Sequence, residues 1–281
     1  MSFNRKGNVV NKVLVYSNAH KESLKVKEVL IDLLDKASVR VITDKEVPDY
    51  IITIGGDGTF LQAFHRYYQF LNTSHFIGIH TGHLGFYTDW LADDLEQVVT
   101  CVTQSSTQTH SYPLLETLIT YNNGTQRKML ALNEMTVRSN SGTMVCDVII
   151  KDYLFETFRG DGLCVATPTG STGLSKSLGG AVLSPQLNAL QLTEMASINN
   201  RVYRTLGSPL IITEDEWIEL VPQNKLWIDL TIDNISWQDV ELAKIQCRIA
   251  DERLHLANFK QIEFWDRVEN SFIGVNRNEL R

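Results

Sequence analysis

Long basic runs are missing from this chain. Its 33 acidic side chains outnumber the 26 basic ones, for a net charge of −7. That balance excludes a generic nucleic-acid binder, and any nucleotide-handling site must gather positive charge or metal locally. Cysteine is scarce. The four present, Cys101, Cys146, Cys164 and Cys247, are far apart and form no CxxC. Their mostly apolar neighbours predict buried free thiols in a reducing compartment. Long apolar runs are also lacking. Three cationic side chains lie between Met1 and Lys12, but Val13-Leu14-Val15-Tyr16 is too short for a signal peptide or a membrane span. The expectation is a cytoplasmic protein with neither membrane nor nucleic acid as partner, in which residues 1 to about 11 form a poorly ordered lead-in. The chain has no internal repeat and no low-complexity segment.

What is present is 281 residues with 43% hydrophobic side chains, enough for one or two domains with a substantial core. The first part alternates strand and helix signals. Strands are predicted at Lys12 to Tyr16, Val39 to Ile42, Tyr50 to Ile54 and Phe76 to Ile79. Val26, Val29, Leu30, Leu33 and Leu34 mark one helical face, and further helices are predicted at Phe60 to Leu71 and Asp93 to Val102. This order predicts an α/β domain with an open, mostly parallel, Rossmann-like sheet over residues 1–110. Ligands of such sheets bind beyond the carboxyl ends of the strands. A polar stretch, Thr103 to Ser111, precedes a change of character. Short strands and hairpins then predict a β-rich, two-sheet domain over 111–259, with Arg127 to Arg138 as one strand and a single helix at about Asn188 to Ile198. Phe264, Trp265, Val268 and Phe272 mark an apolar helical face in a tail, 260–281, expected to pack back on the first domain.

Four groups of residues carry chemistry. Gly55-Gly56-Asp57-Gly58-Thr59 stands between a strand and a helix. Its glycines let backbone N–H groups approach a phosphate, and the helix start adds partial positive charge. Asp57, no anion binder, is left to hold a divalent metal or to take a proton from a hydroxyl. These are the parts of a kinase, although Gly-Asp-Gly turns are common in ordinary loops. Asn133-Glu134, at a strand end, can take both edges of a sugar diol or an adenine, or simply cap the strand. Arg159-Gly160-Asp161-Gly162 sets a second acid between glycines beside a bidentate donor, or staples a hairpin. The loop from Thr167 to Gly180 is dense in hydroxyls and glycines, and a linker of that length is out of place inside a compact domain. His80 and His83 are three apart, but no third metal ligand stands nearby.

Taken in order, these motifs resemble the NAD kinases, which carry GGDGT, an Asn-Glu pair, a Gly-Asp-Gly turn and a TPTGST loop. His80 to Tyr87 (HTGHLGFY) and Ala196 to Arg201 (ASINNR) are also similar to that family, and the likeness covers residues 12 to 275. GGDGT alone is shared with phosphofructokinases and lipid kinases; the four motifs in order are specific. The resemblance implies transfer of the terminal phosphoryl of ATP, another nucleoside triphosphate or polyphosphate to the 2′-hydroxyl of the adenosine ribose of NAD, giving NADP. It implies Asp57 as the catalytic group and Gly58 with its backbone beside the substrate. Asn133 and Glu134 would recognise the adenosine part, with Phe86 and Tyr87 packed against it and Thr169 and Thr172 bonding nearby. Arg159, Asp161, Ser177, Ala196 and Asn234 would line the nicotinamide half. It further implies a divalent metal, Mg²⁺, entering with the phosphate donor rather than held permanently, and a homodimer or homotetramer. One departure stands out: Gly173-Leu174 replaces the family's usual Ala-Tyr, so an aromatic contact worth about 0.5–1.5 kcal/mol is missing. A lipid kinase of the diacylglycerol or sphingosine type, and a nucleotide sensor built on a dead kinase, are the rival readings.

Overall fold

A computed structural model describes residues 11–82, 85–104, 108–223, 227–258 and 263–274. The chain divides into two compact units, Met1–His110 with His255–Arg281, and Ser111–Leu254. The lead-in expected over residues 1 to about 11 lies, apart from Asn11, outside the described residues, as do His83 and parts of the tail.

In the first unit, β1 (Lys12–Ser17), α1 (Lys21–Lys36), β2 (Arg40–Val41), β3 (Tyr50–Ile54), α2 (Asp57–Arg66), β4 (His75–His80), β5 (Trp90–Leu91) and α3 (Leu95–Gln104) follow in order. The strands pair in parallel in the order β4-β3-β1-β2, with β5 along the end of β4. All five residues of β3 are buried, as a parallel strand covered on both faces requires. Val26, Leu30 and Leu34 of α1 join Ile52, Ile54, Ile77 and Val98 in one core, whereas Val29 points to solvent. The apolar face is thus narrower than the sequence spacing predicted. The second predicted helix starts three residues early. Asp57 is its first residue, Gly56 its N-cap, and regular winding stops at Arg66.

The second unit holds most of β6 (Gln108–Tyr121), β7 (Gln126–Ala131), β8 (Glu134–Ser139), β9 (Met144–Ile150), β10 (Tyr153–Gly160), β11 (Gly162–Ala166), α4 (Leu174–Ser177), β12 (Ala189–Met195), β13 (Leu210–Thr213), β14 (Ile218–Pro222), β15 (Ile228–Ile232), β16 (Ile235–Val240) and most of β17 (Leu242–Asn258). One sheet runs β13-β12-β11-β8-β15-β16. In another, β10-β9-β14-β17 pair in succession and β6 pairs with β7 and β17. Apart from β6 with β17, each of these pairs is antiparallel in register. A shared core including Leu115, Val137, Phe158, Leu163, Leu192, Leu230 and Ile245 is fully enclosed or nearly so. Burial pushes the thiols of Cys146, Cys164 and Cys247 up to about 12, which makes them inert packing residues.

Two expectations are corrected here. Arg127 to Arg138 is two strands, β7 and β8, which enter different sheets; Leu132-Asn133 lies between them. The helix expected at Asn188 to Ile198 is strand β12. Ala, Leu, Gln and Glu favour helix locally, but β12 lies between β11 and β13 with six of its seven residues buried. Backbone pairing to two neighbours overrides that propensity. Even Gln191 is enclosed, its amide nitrogen bonded to Ser175 Oγ at 2.8 Å and its carbonyl oxygen accepting Ala181 N–H at 2.8 Å.

Past Leu254 the last residues of β17 belong to the first unit, where Leu256 pairs in parallel with Phe76. The division therefore falls inside β17 rather than at the predicted 259/260. The tail then forms α5 (Phe264–Val268) and a π-helical turn, Glu269–Ile273. It packs back on the first unit: Phe264 and Phe272 each place a ring 6.1 Å from that of Phe86.

Candidate active site

The turn after β3 is built around Gly55. Its φ is +153°, and a Cβ there would come within 2.2 Å of Thr59 Oγ1 and 2.8 Å of Asn18 Nδ2. Glycine is required because Asn18 Nδ2 donates to Thr59 Oγ1 at 3.0 Å directly beneath it. Gly56 and Gly58 serve differently. A Cβ at either would meet nothing within 4 Å, so the amino end of α2 faces open space. The first N–H groups of a helix have no acceptor within it, and among the described residues nothing crowds the two glycines that open this one. That is the geometry of an oxyanion cradle.

Asp57 sits half-buried at the head of this helix. Its Oδ2 accepts the N–H of Phe86 at 2.8 Å, and its Oδ1 accepts that of Tyr87 at 3.0 Å. The loop comes so close that a Cβ on Gly85 would stand 2.2 Å from Asp57 Oδ1. The carboxylate cannot rotate without breaking two bonds, yet each oxygen retains a second lone pair. Tyr87 itself is buried, its ring stacked on Phe60 at 5.1 Å and 15°. The ring expected against adenosine is thus part of the first unit's core. Phe86 is half-buried against the tail.

The second unit assembles another group of predicted residues. Asn133 and Glu134 sit at the start of β8, held by a residue the sequence did not single out. The carboxylate of Asp233 accepts the N–H groups of Leu132 at 2.9 Å, Asn133 at 2.7 Å and Glu134 at 3.2 Å. Asp233 has φ +51° in the two-residue turn between β15 and β16, and its own N–H returns to Glu134 O at 2.9 Å. The Thr167 loop locks to the same place. Thr167 Oγ1 donates to Leu132 O at 2.6 Å, Thr169 Oγ1 to Leu132 O at 2.9 Å, and Thr167 N–H to Asn133 O at 2.8 Å. A Cβ on Gly170 would lie 2.0 Å from Asn133 O. Asn133, Glu134, Thr169 and Thr172 are therefore brought together, but the hydroxyl of Thr169 is committed to Leu132 O and that of Thr172 to Thr169 O at 3.1 Å.

Among the described residues Glu134 has no hydrogen-bond partner for its buried Oε2. Burial, assisted by the negative charge of Asp233, pushes its carboxyl up to about 7, so near neutrality it can donate as well as accept. Gly173 adjoins it: a Cβ there would be 3.2 Å from Glu134 Oε2. Leu174 and Ser177 are exposed on α4, which explains why an aliphatic residue is accommodated at 174. Asp161, Ala196 and Asn234 are exposed. Met195 O accepts the N–H of Asp161 at 2.9 Å, which sets Asp161 beside Ala196, whose φ is +46°. The glycines flanking Asp161 are packing positions, with a Cβ on Gly160 meeting Phe158 at 2.5 Å and one on Gly162 meeting Val137 O at 2.4 Å. Arg159 lays its guanidinium 4.3 Å over the ring of Tyr203, a cation–π contact that no motif foretold. His80 Nδ1 bonds Gly82 O at 2.9 Å. Among the described residues no group of three or more His, Cys, Asp or Glu side chains could hold a metal ion, and no helix is long and apolar enough to cross a membrane.

An immobilised carboxylate at an open, glycine-lined helix start is the apparatus of a phosphotransferase, and the polar Asn133-Glu134 constellation suits a nucleoside acceptor. Comparison with known proteins carries this further. Residues 17–107 match the ATP-NAD kinase N-terminal domain, and residues 132–239 the ATP-NAD kinase C-terminal domain. The NAD kinase of Lactobacillus gasseri is 47% identical over 95% of this chain and 100% of its own length; that of Levilactobacillus brevis is 50% identical over 94% and 98%. The NAD kinase of Geobacillus stearothermophilus is 53% identical over 82% of this chain and 86% of its own. Among solved structures, yeast NADH kinase complexed with NADH has the same fold, with a TM-score of 0.82 at 20% identity, covering 95% of this chain and 88% of that one. The chain belongs to the NAD kinase family and is a phosphotransferase.

Proposed function

We infer that the reaction is ATP-dependent phosphorylation of NAD at the 2′-hydroxyl of its adenosine ribose, giving NADP, with Asp57 as the general base. The observation that carries the role of Asp57 is its double anchorage to the Phe86 and Tyr87 amides beside the uncovered amino end of α2. As the ribose oxygen bonds to the γ-phosphorus and the bond to the β–γ bridging oxygen breaks, the hydroxyl proton passes to Asp57. Developing charge on the phosphoryl oxygens is met by N–H groups at the start of α2, Gly58 among them. Asn133 and Glu134 hold the adenosine part; protonated Glu134 offers a donor where a carboxylate would only accept. Arg159, Asp161, Ser177, Ala196 and Asn234 are assigned to the nicotinamide half, with Gly173 beside Glu134 and Leu174 following it as a further substrate contact.

A magnesium ion, carried in by the donor phosphates, would offset their charge. One carboxylate with spare lone pairs and no clustered acidic ligands among the described residues fits an ion ligated chiefly by phosphate and water. Polyphosphate is retained as a second donor. The working form is proposed to be a cytoplasmic homodimer or homotetramer of the 31.9 kDa chain; a monomer mass by light scattering would overturn the assembly.

The test is NADP formation from NAD with ATP and Mg²⁺. Asp57→Asn retains NAD binding and loses at least about 100-fold in turnover, and EDTA abolishes the wild-type rate. Near-normal turnover of that variant removes Asp57 as the base. Lipid phosphorylation without NADP formation would replace the whole reading with the lipid-kinase one.

A further inference from the structure

Arg267 lies in α5, 210 residues beyond Asp57, yet it is 7% exposed. Burying a guanidinium is costly unless its donors are used. Here burial lowers its affinity for its proton and the negative charge of Asp57 opposes that effect. Its Nη1 donates to Gly85 O at 3.1 Å and to Phe86 O at 2.9 Å, and its Nη2 faces the carboxylate of Asp89.

Those two carbonyls belong to the two peptide groups that hold the Asp57 carboxylate. The Gly85–Phe86 peptide gives its oxygen to Arg267 and its N–H to Asp57 Oδ2; the Phe86–Tyr87 peptide gives its oxygen to Arg267 and its N–H to Asp57 Oδ1. Both are trans, so oxygen and hydrogen point opposite ways from each plane. Two consecutive peptide groups thus bridge a cation and an anion. Each hydrogen bond polarises the next, and neither plane can turn without releasing both charges. One nitrogen of a planar fork reaches both oxygens while the other is held by Asp89, an arrangement that a flexible ammonium does not reproduce.

We propose that Arg267 is the positioning residue of the catalytic base, fixing the rotation of the Asp57 carboxylate through the two peptide groups at residues 85–87. The proposal rests on the assignment of Asp57 as base. It gives the carboxyl-terminal segment a part in catalysis that none of the motifs assigns. The aromatic contacts of Phe264 and Phe272 with Phe86 seat the segment; the guanidinium sets the acid.

The test uses the full chain with Arg267→Met and Arg267→Lys, each alone and combined with Asp57→Asn. NADP accumulation is followed long enough to read slow variants, and thermal melting checks folding. Arg267→Met is expected to lower kcat about 100-fold while KM for NAD and ATP stays within about 3-fold. Arg267→Lys restores part of the loss. In the Asp57→Asn background either change alters kcat less than about 2-fold, because the group being positioned is already gone. Should Arg267→Met fail to fold, Arg267→Lys carries the same comparison. Equal losses in both backgrounds, or a loss confined to KM, would overturn the positioning role while leaving Asp57 as base. Near-normal turnover of Asp57→Asn alone would instead overturn the base assignment, so the two failures are told apart.

Discussion

Replacing Glu134 with Gln should make the unliganded protein more stable above neutrality and leave it nearly unchanged in acid. The carboxyl is pushed from its ordinary 4.5 to about 7 by burial, with the Asp233 charge second. At about 1.4 kcal/mol per pH unit, holding it ionised costs the fold about 3 kcal/mol at high pH. The folded chain keeps this proton up to about pH 7, the unfolded chain only up to about 4.5. Between those values the folded state binds the extra proton, so stability falls as pH rises through the window. From pH 5 to pH 8 the loss is about 2.5 kcal/mol by this linkage. Glutamine imitates the protonated carboxyl and has no such slope. Melting temperatures of wild type and variant, measured in parallel without nucleotide, should diverge by about 5–10 °C between these pH values. His75 works the other way. Burial lowers its affinity for a proton, so its contribution is intact above its ordinary 6.5 and is lost progressively as pH falls below that value. It is common to both proteins and cancels in their difference. A gap in melting temperature that stays constant from pH 5 to pH 8 would refute the reasoning and mean that Glu134 is ionised throughout.

Gly85→Ala would drive a methyl group to 2.2 Å from Asp57 Oδ1. Displacing the acid by an ångström should cost about 100-fold in kcat, with unfolding by urea little changed; wild-type kcat would show that the loop does not approach the acid. Asp233→Ala leaves the N–H groups of Leu132, Asn133 and Glu134 without their shared acceptor. It should cost about 3 kcal/mol of stability and raise KM for NAD, as read by denaturation and initial rates. Asp233→Asn, which tolerates the same left-handed backbone, should cost less and shift the Glu134 window toward lower pH.

The strand–glycine–acid–glycine–helix turn was legible because its chemistry is local. Gly55 is required by a neighbour four residues away, and Gly56 and Gly58 leave the helix start open. The parallel first unit was legible for a related reason, since buried β3 reads as an uninterrupted apolar run. Strand β12 misled because Leu190, Gln191 and Leu192 are good helix formers and only their two sheet neighbours make them strand. The supports of the site were silent for want of any local signal. Arg267 finds its acceptors 181 and 182 residues away, and Asp233 reaches back about 100. Asp233 left one readable hint, an Asp-Asn pair between two alternating strands, the composition of a tight hairpin turn. Arg267 left none: an arginine in an apolar tail looks like a solvated one until its partners are known.

The return of the carboxyl-terminal segment to the first unit also has a bearing on how the enzyme is made. A ribosome adding about 5–20 residues per second completes the Gly55–Thr59 turn early and delivers Arg267 roughly 10–40 s later at that same rate. For that interval the nascent chain carries its acid and its phosphate cradle without the guanidinium opposite. On the proposed role of Arg267, full competence for phosphoryl transfer waits on synthesis of α5, and a chain cut short before it would leave the ribosome with its motifs intact and its carboxylate unclamped.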